Sequence, residues 1–405
     1  MNVLMLSPSY PTEMSFFTRA LAQSGARVIG VGDRPVTELS QMSRESLSHY
    51  IQVTFLGEPE QTIREVLSSD GIAGVDRIEC LWEPCLLIAA SLREALHLPG
   101  MTFSDTVPFR DKDEMKRRVA GAGIRTPRHM RGSSVDDCLR AVGRFGFPLV
   151  LKPISGAGSV DTYRVDNYDE LSQTIEKMRH VPEMNIEEFV EGEEYTFDTL
   201  CIDGEIVYES VAWYRPRPLV DRMLEWISPQ TIVLRDFDQP QFDEGRRMGR
   251  EVLRALNFQT GFSHMEWYMK SDGEAVFGEI GARPPGAHMV DLMNYASDID
   301  LYRGWAEVAL NGRFSAKFER KYNSAIIVKR ARGEGRIRHV ENLDKVASLL
   351  GEHLVEINLL PIGAPRNDWR TSLVSDGFVI LRHPDLSSTL EMADVVGSEL
   401  HLYAG

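Results

Sequence analysis

Short apolar runs alternating with helical periodicities open the chain. Asn2-Val-Leu-Met-Leu6 reads as a strand, Glu13 to Gly25 as a helix, Ala26 to Val31 as a second strand and Arg77 to Leu81 as a later one. This strand–helix–strand rhythm predicts a parallel, doubly wound sheet. From Asp111 the texture changes. A charged helix runs to the glycines at 121 and 123 and is followed by the turn Ile124-Arg-Thr-Pro127 and a helix around Val135 to Phe145. Then come a buried strand ending at Lys152, the small-residue loop Ser155-Gly-Ala-Gly-Ser-Val160, another helix, and strands at Met184 to Val190 and Tyr195 to Cys201. Together they predict a compact α+β unit. Ala212 to Leu219 is expected to be loop-rich and Asp243 to Leu256 helical, with strands returning at Asn323 to Val328 and Val374 to Leu381. The fold class expected is therefore α/β followed by α+β.

Two apolar stretches joined by the polar turn Lys270-Ser-Asp-Gly273 carry Glu266, in His-Met-Glu-Trp-Tyr, and Glu279, in Phe-Gly-Glu-Ile-Gly-Ala-Arg283. An antiparallel hairpin would set these acids side by side with Arg283 just beyond the second strand. Adjacent carboxylates are tolerated when a cation neutralises them, and magnesium takes one or two carboxylates completed by water and phosphate oxygens. Solvated or salt-bridged strand acids are the alternative reading.

Composition narrows the function classes. At 405 residues the chain exceeds what one core organises, so two to four subdomains are expected. A net charge of −15 and a pI near 5.2 oppose nonspecific binding to nucleic acid or anionic membranes. The N-terminal apolar run lacks a basic flank and the length of a signal core, and no stretch is apolar over 18 residues, so a cytoplasmic protein is expected. Cys80, Cys85, Cys138 and Cys201 show no zinc-ligand pairing and are expected to be reduced and buried. The loop Ser7-Pro-Ser-Tyr-Pro11 lacks the glycines of a dinucleotide site, which disfavours an oxidoreductase. No Gly-X-Ser-X-Gly or His-Glu-X-X-His pattern supports a serine hydrolase or zinc protease.

Lys152, at a strand end before Ser155 to Val160, would place an ammonium beside phosphate oxygens that the loop amides also bind. The loop is not a Walker A motif, and an ordinary glycine turn with a snorkelling lysine is the alternative. Glu187-Glu-Phe-Val190 offers extended backbone to a nucleotide base, or else is an edge strand with solvated acids; Glu194 would accept bonds from ribose hydroxyls. Arg215, Arg217 and Arg222, interleaved with Trp213, Tyr214 and Trp226, would recognise a substrate carboxylate, or form ordinary surface ion pairs. His264 and His288 flank the hairpin, where packing or surface roles compete with function.

The order of these parts, Lys112, Lys152, the small-residue loop, Glu187 to Val190 with Glu194, then Glu266 and Glu279-Ile-Gly-Ala-Arg283, resembles the ATP-grasp superfamily of carboxylate-amine ligases over residues 105 to 310. The resemblance implies an N-terminal α/β domain at 1–105, a small lobe with a phosphate flap at 106–200, a large lobe with the metal site at 201–311 and a C-terminal α+β lobe at 312–405. It implies ATP between two lobes. Lys112 and Lys152 would contact the phosphates, and Ser155, Gly156, Gly158, Ser159 and Val160 would close over them. Glu187 would receive the adenine amino group, Glu188, Phe189 and Val190 would line the base, and Glu194 would hold the ribose. Glu266 and Glu279 would ligate magnesium, for which manganese can substitute, and Arg283 and Lys152 would be catalytic. Two departures from the pattern stand out: Gly281 where relatives commonly carry Asn, and Val160-Asp161 where many carry glycine.

The activity implied is ligation of a carboxylate to an amine through an acyl phosphate, with ADP and phosphate released and an amino acid as one substrate. Arg215, Arg217, Arg283 and His288 are the candidate substrate contacts. A bicarbonate- or formate-using enzyme of the same fold and a non-catalytic nucleotide-binding module are the alternatives. Small-molecule carboxylate and amine partners are implied, without nucleic acid or membrane; a homodimer is compatible.

Overall fold

A computed structural model describes residues 1–405 apart from Ala157 and Ser159. The N-terminal strands Asn2–Leu6, Arg27–Gly32, His49–Gln52 and Arg77–Cys80 pair in parallel, with Asn2–Leu6 between Arg27–Gly32 and Arg77–Cys80. Val3 to Leu6 are wholly buried, as a parallel strand covered on both faces requires. Helix Met14–Gln23 crosses from this sheet to the rest of the molecule: Phe17, itself fully buried, meets Tyr302 and Trp305 of helix Leu301–Asn311 edge-on, with ring centroids 4.8 and 5.2 Å away.

A second sheet is antiparallel, in the order His129–Gly132, Met184–Glu188, Leu149–Pro153, Tyr163–Val165. Helices Val135–Phe145 and Tyr168–Lys177 cover one face of it, burying Cys138, Ala141, Leu149, Leu151 and Ile186. Both helices start at a side-chain cap. Ser134 accepts from the Asp137 amide while the Asp137 carboxylate reaches back, and Asn167 accepts from the Glu170 amide.

The third sheet has nine strands. It runs Ala275–Gly281, Gly261–Met269, Glu193–Ile202, Ala212–Arg215, Gln230–Val233, Asn323–Val328, Gly377–His383, Leu354–Leu359, with Glu205–Ser210 paired beside Glu193–Ile202. Three C-terminal strands thus extend the sheet that carries the acidic hairpin, while Ile337–Glu341 and His401–Ala404 pair with each other. The chain passes from the second sheet to the third across residues 189 to 192.

The α/β and α+β classes are as expected, and the expected strands at both ends of the chain are present within a few residues. The segment Ala212 to Leu219 differs: it holds the strand Ala212–Arg215 and the short helix Pro218–Asp221. Its strand character comes from partners distant in sequence, since Ala212–Arg215 pairs residue by residue with Gln230–Val233. All four cysteines are free and buried, and among the described residues no helix is long and apolar enough to cross a membrane.

Phe17→Ala should lower the unfolding free energy by about 3–5 kcal/mol, because a buried ring leaves a cavity between two helices. Urea unfolding at unchanged slope measures this, and a loss below about 1 kcal/mol would show that the cluster does not hold the N-terminal sheet in place.

Candidate functional site

A cleft of about 660 Å³, open to solvent, lies where the second sheet faces the hairpin of the third. Strand Leu149–Pro153 contributes Val150 and Lys152, strand Met184–Glu188 contributes Glu187 and Glu188, and the hairpin contributes Glu266, Tyr268 and Glu279. Lys112, the first residue of helix Lys112–Gly121, also lines the cleft; its position is fixed by Asp111, whose carboxylate caps the helix by accepting from the Asp113 and Glu114 amides, each at 3.0 Å.

Glu266 and Glu279 are direct cross-strand partners, so period-two alternation turns both toward the cleft. The register slips immediately afterwards, Trp267 pairing with Phe277, which leaves Gly278 as the extra residue of a bulge. A Cβ at Gly278 would lie 2.7 Å from the Glu266 carbonyl oxygen, so only glycine permits the bulge that aims Glu279.

The cleft floor is a chain of alternating charge. Lys152 Nζ lies 2.7 Å from Glu187 Oε1 and 3.4 Å from Glu279 Oε2. Lys112 Nζ stands 3.6 Å from the same Glu279 oxygen and donates to the Gly156 carbonyl at 2.7 Å. Behind Glu187, and completely buried, Lys116 Nζ lies 3.1 Å from Glu187 Oε2. Burial works against the ionised form of Glu187, but Lys116 and Lys152 outweigh it and hold the carboxyl down at about 2. Glu279 is also held well below the carboxylate range, burial being outweighed by Lys112 and Lys152. Lys152, with two carboxylates, is raised despite its burial, whereas Lys116, with one, is lowered by burial to about 8.

Lys116 was not singled out from the sequence. The available signal was its spacing: four residues after Lys112 on one helix, it shares a face with a lysine already identified. With Lys112 and Lys152 it makes three ammonium groups around the carboxylates of Glu187 and Glu279, with Glu266 beside Glu279 on the neighbouring strand.

Glu266 has different neighbours. His264 Nε2 and the Tyr214 hydroxyl each lie 3.5 Å from its Oε1. The other ring nitrogen of His264 is 2.6 Å from Asp198, which also accepts from Thr196 Oγ1 at 2.6 Å. Burial opposes the imidazolium, but Asp198 prevails and raises His264 to about 9. Glu194, 3.2 Å from Arg217 Nε, is raised to about 8: burial, reinforced by Glu266, outweighs the arginine. Arg217 is wedged between the rings of Phe189 and Tyr268, 4.7 and 4.6 Å from their centroids, and donates to the Val190 carbonyl at 2.8 Å.

Among the described residues no group of three or more His, Cys, Asp or Glu is placed to hold a metal ion. Glu266 and Glu279 give two carboxylates and Gly281 adds no side-chain oxygen; a Cβ there would lie 3.3 Å from Arg283 Cγ. Two hard oxygen donors with Lys112 and Lys152 nearby fit a magnesium ion whose remaining ligands are phosphate oxygens and water, and do not fit a zinc site.

The structure brings Lys112, Lys152, Gly156, Val160, Glu187, Glu188, Val190, Glu194, Arg217, Glu266 and Glu279 to one cleft. The Glu188 side chain is held by Arg125 at 2.7 Å and by the Arg128 amide at 3.0 Å. Phe189 lies beneath Arg164 and Arg217, Gly158 accepts from Arg222 at 2.5 Å, and Ser155 accepts from Arg110 at 2.9 Å. Ser159 is outside the described residues. Asp161 is engaged by His180 at 2.8 Å and by the Tyr163 hydroxyl at 3.3 Å.

Arg283 sits beside the cleft, its Nε donating to Glu83 at 2.7 Å. Arg215 and His288 do not join the cleft lining. Arg215 donates to Gln230 at 2.9 Å and pairs with Asp394 at 3.3 Å. His288 bonds Asp291 of its own helix at 2.8 Å and packs on Phe378.

Residues 145–290 match the family model of the ATP-grasp domain. The L-arginine-specific L-amino acid ligase of Bacillus subtilis is 24% identical over 318 residues, covering 76% of this chain and 75% of its own. A D-alanine–D-alanine ligase of Clostridium perfringens is 31% identical over 124 residues, 29% of this chain and 40% of that protein. The crystal structure of an L-amino acid ligase from Bacillus licheniformis superposes with a TM-score of 0.81 at 19% identity, covering 100% of this chain and 99% of that one. The matched segment, which spans Lys152, Glu187, both hairpin glutamates and Arg283, is an ATP-grasp domain.

Proposed function

We propose that this protein is an ATP-dependent carboxylate-amine ligase that forms an amide or peptide bond with an amino acid as one substrate. The observation that carries the reading is the convergence of Lys112 and Lys152, with Lys116 behind them, on the paired carboxylates Glu266 and Glu279. That arrangement suits a triphosphate and its divalent counter-ion, and the relatives named as amino-acid ligases support the substrate class.

In this reading Lys152 and Lys112 bind the phosphate oxygens, and Ser155, Gly156, Gly158 and Val160 cover them. The extended backbone of Glu188 to Val190 meets the adenine edge, with Glu187 beneath it held ionised by its two lysines, and Glu194 faces the ribose. Glu266 and Glu279 would hold magnesium, which when bound neutralises charge on the phosphates. A substrate carboxylate oxygen attacks the γ-phosphorus and the bond to the departing ADP oxygen breaks, giving an acyl phosphate. The amine nitrogen of the second substrate then attacks the acyl carbon, loses a proton, and expels phosphate as the C–O bond breaks. Lys152 and Arg283 supply positive charge where negative charge accumulates, so catalysis comes from positioning and electrostatics.

Phosphate release screened over pairs of amino acids, with bicarbonate and formate as further acids and mass spectrometry of the product, tests the reaction directly. A new amide between two amino acids is expected; stimulation by bicarbonate or formate alone would replace the proposed substrate class, and ADP release that no acceptor stimulates would remove the ligase assignment. Glu279→Gln should reduce ADP release at saturating ATP by at least about 100-fold, since both a metal ligand and the partner of two lysines are neutralised. Turnover near that of the unaltered protein would exclude the role given to Glu279.

Lys116→Met leaves Glu187 buried against a single cation and should lower stability by about 1–3 kcal/mol. Glu187 has its folded pKa depressed from 4.5 to about 2, so its contribution is complete above the unfolded value and is lost as pH falls between the two. Removing Lys116 raises the folded value and narrows that window, so less of the contribution is present at neutral pH, and acid unfolding followed by circular dichroism should begin at higher pH than in the unaltered protein. An unmoved acid transition would show that Lys116 does not sustain the charge on Glu187.

A further inference from the structure

The cleft accounts for Arg283 only in part, because the nearest charged group to its guanidinium comes from the N-terminal sheet. Arg283 leaves the end of strand Ala275–Gly281, and its Nε donates to Glu83 Oε2 at 2.7 Å while its Nη1 donates to the Pro284 carbonyl at 2.9 Å. Glu83 is 200 residues away in the chain and only 8% exposed. It begins the short 3-10 turn Glu83–Cys85 that follows strand Arg77–Cys80, at the carboxyl end of the N-terminal sheet. Its second oxygen is taken by Arg110, whose other nitrogen donates to Ser155 Oγ at 2.9 Å. Ser155 is the first residue of the small-residue loop assigned above to the phosphates.

A carboxylate buried between two arginines has both oxygens committed and its direction fixed, and it fixes theirs in turn. The guanidinium plane of Arg283 is set by two bonds, one of them charge-assisted, and a planar group so held presents its remaining donors in a defined direction. Glu266 and Glu279 both act electrostatically on Arg283, so the group is close enough for a change in its direction to be felt in the cleft.

We propose that Glu83 is a positioning residue for Arg283, holding its guanidinium toward the cleft and tying it through Arg110 to Ser155 at the root of the phosphate loop. The N-terminal domain then contributes to phosphoryl transfer without touching ATP. This rests on the ligase reading, in which Arg283 stabilises charge on the transferring group.

The test compares Glu83→Gln, Arg283→Lys and the double variant in the full chain, following ADP release with ATP varied and confirming folding by thermal unfolding. Glu83→Gln should lower kcat about 10- to 100-fold, the range seen when a partner orienting a functional group is removed, with KM for ATP changed less than about threefold. In the Arg283→Lys background it should add less than about threefold, because the group it orients is already altered. Glu83→Asp, which keeps the charge on a shorter stem, should recover part of the loss; it also serves in place of E83Q if that chain does not fold, with a kcat loss still expected relative to the unaltered protein. Losses that multiply in the double variant would overturn the proposal, as would a kcat unchanged by E83Q while R283K is impaired. Full activity of R283K would instead remove the role given to Arg283 under the ligase reading, and this proposal with it.

Discussion

Three buried ammonium groups and two carboxylates, alternating as Lys116, Glu187, Lys152, Glu279 and Lys112, are the constraint on which the cleft depends. Glu187, Lys152 and Glu279 keep their charge because their neighbours outweigh the lost hydration, whereas burial prevails at Lys116. The members come from one helix, two strands of the second sheet and the hairpin of the third. The chain of charge therefore forms only when the two sheets face each other.

The surrounding fold keeps that junction in place. Capped helices fix the second sheet, a bulge with Gly278 at its centre turns Glu279 inward, and the aromatic contact of Phe17 with Tyr302 and Trp305 brings the N-terminal sheet against the body of the molecule. That last contact matters beyond stability, because the docked sheet carries Glu83 to Arg283. The C-terminal strands add to the hairpin's own sheet, and their loops meet the segment after Arg217: Arg330 donates to the Leu224 carbonyl at 2.7 Å and Arg366 pairs with Glu225 at 2.9 Å. The last part of the chain thus braces the segment that lines the cleft mouth.

Features carried by neighbouring residues were legible in the sequence. The hairpin could be read because alternation, a polar turn and the paired acids all lie within twenty residues, and period-two geometry leaves little freedom once the turn is set. The first strands and the helix around Val135 to Phe145 were legible for the same reason. The strand Ala212–Arg215 was not, since its pairing with Gln230–Val233 depends on tertiary context that overrides a local pattern rich in Arg and Pro. Arg215 and Arg217 show the limit most clearly. Two residues apart and chemically identical, one faces Gln230 and Asp394 and the other enters the cleft beside Glu194.

The sequence by itself determined the α/β and α+β elements, the order of the lysines, the glycine-containing loop and the carboxylates, and the pairing of Glu266 with Glu279, because backbone periodicity acts over short distances. Only the tertiary structure decided that Lys116 stands behind Glu187, that Asp198 charges His264 beside Glu266, that Arg215 and His288 lie away from the cleft, and that Glu83 holds Arg283. These are contacts between groups far apart in the chain, and a charge or hydrogen bond falls so steeply with distance that its partner is chosen by where packing leaves each side chain, which no local pattern records.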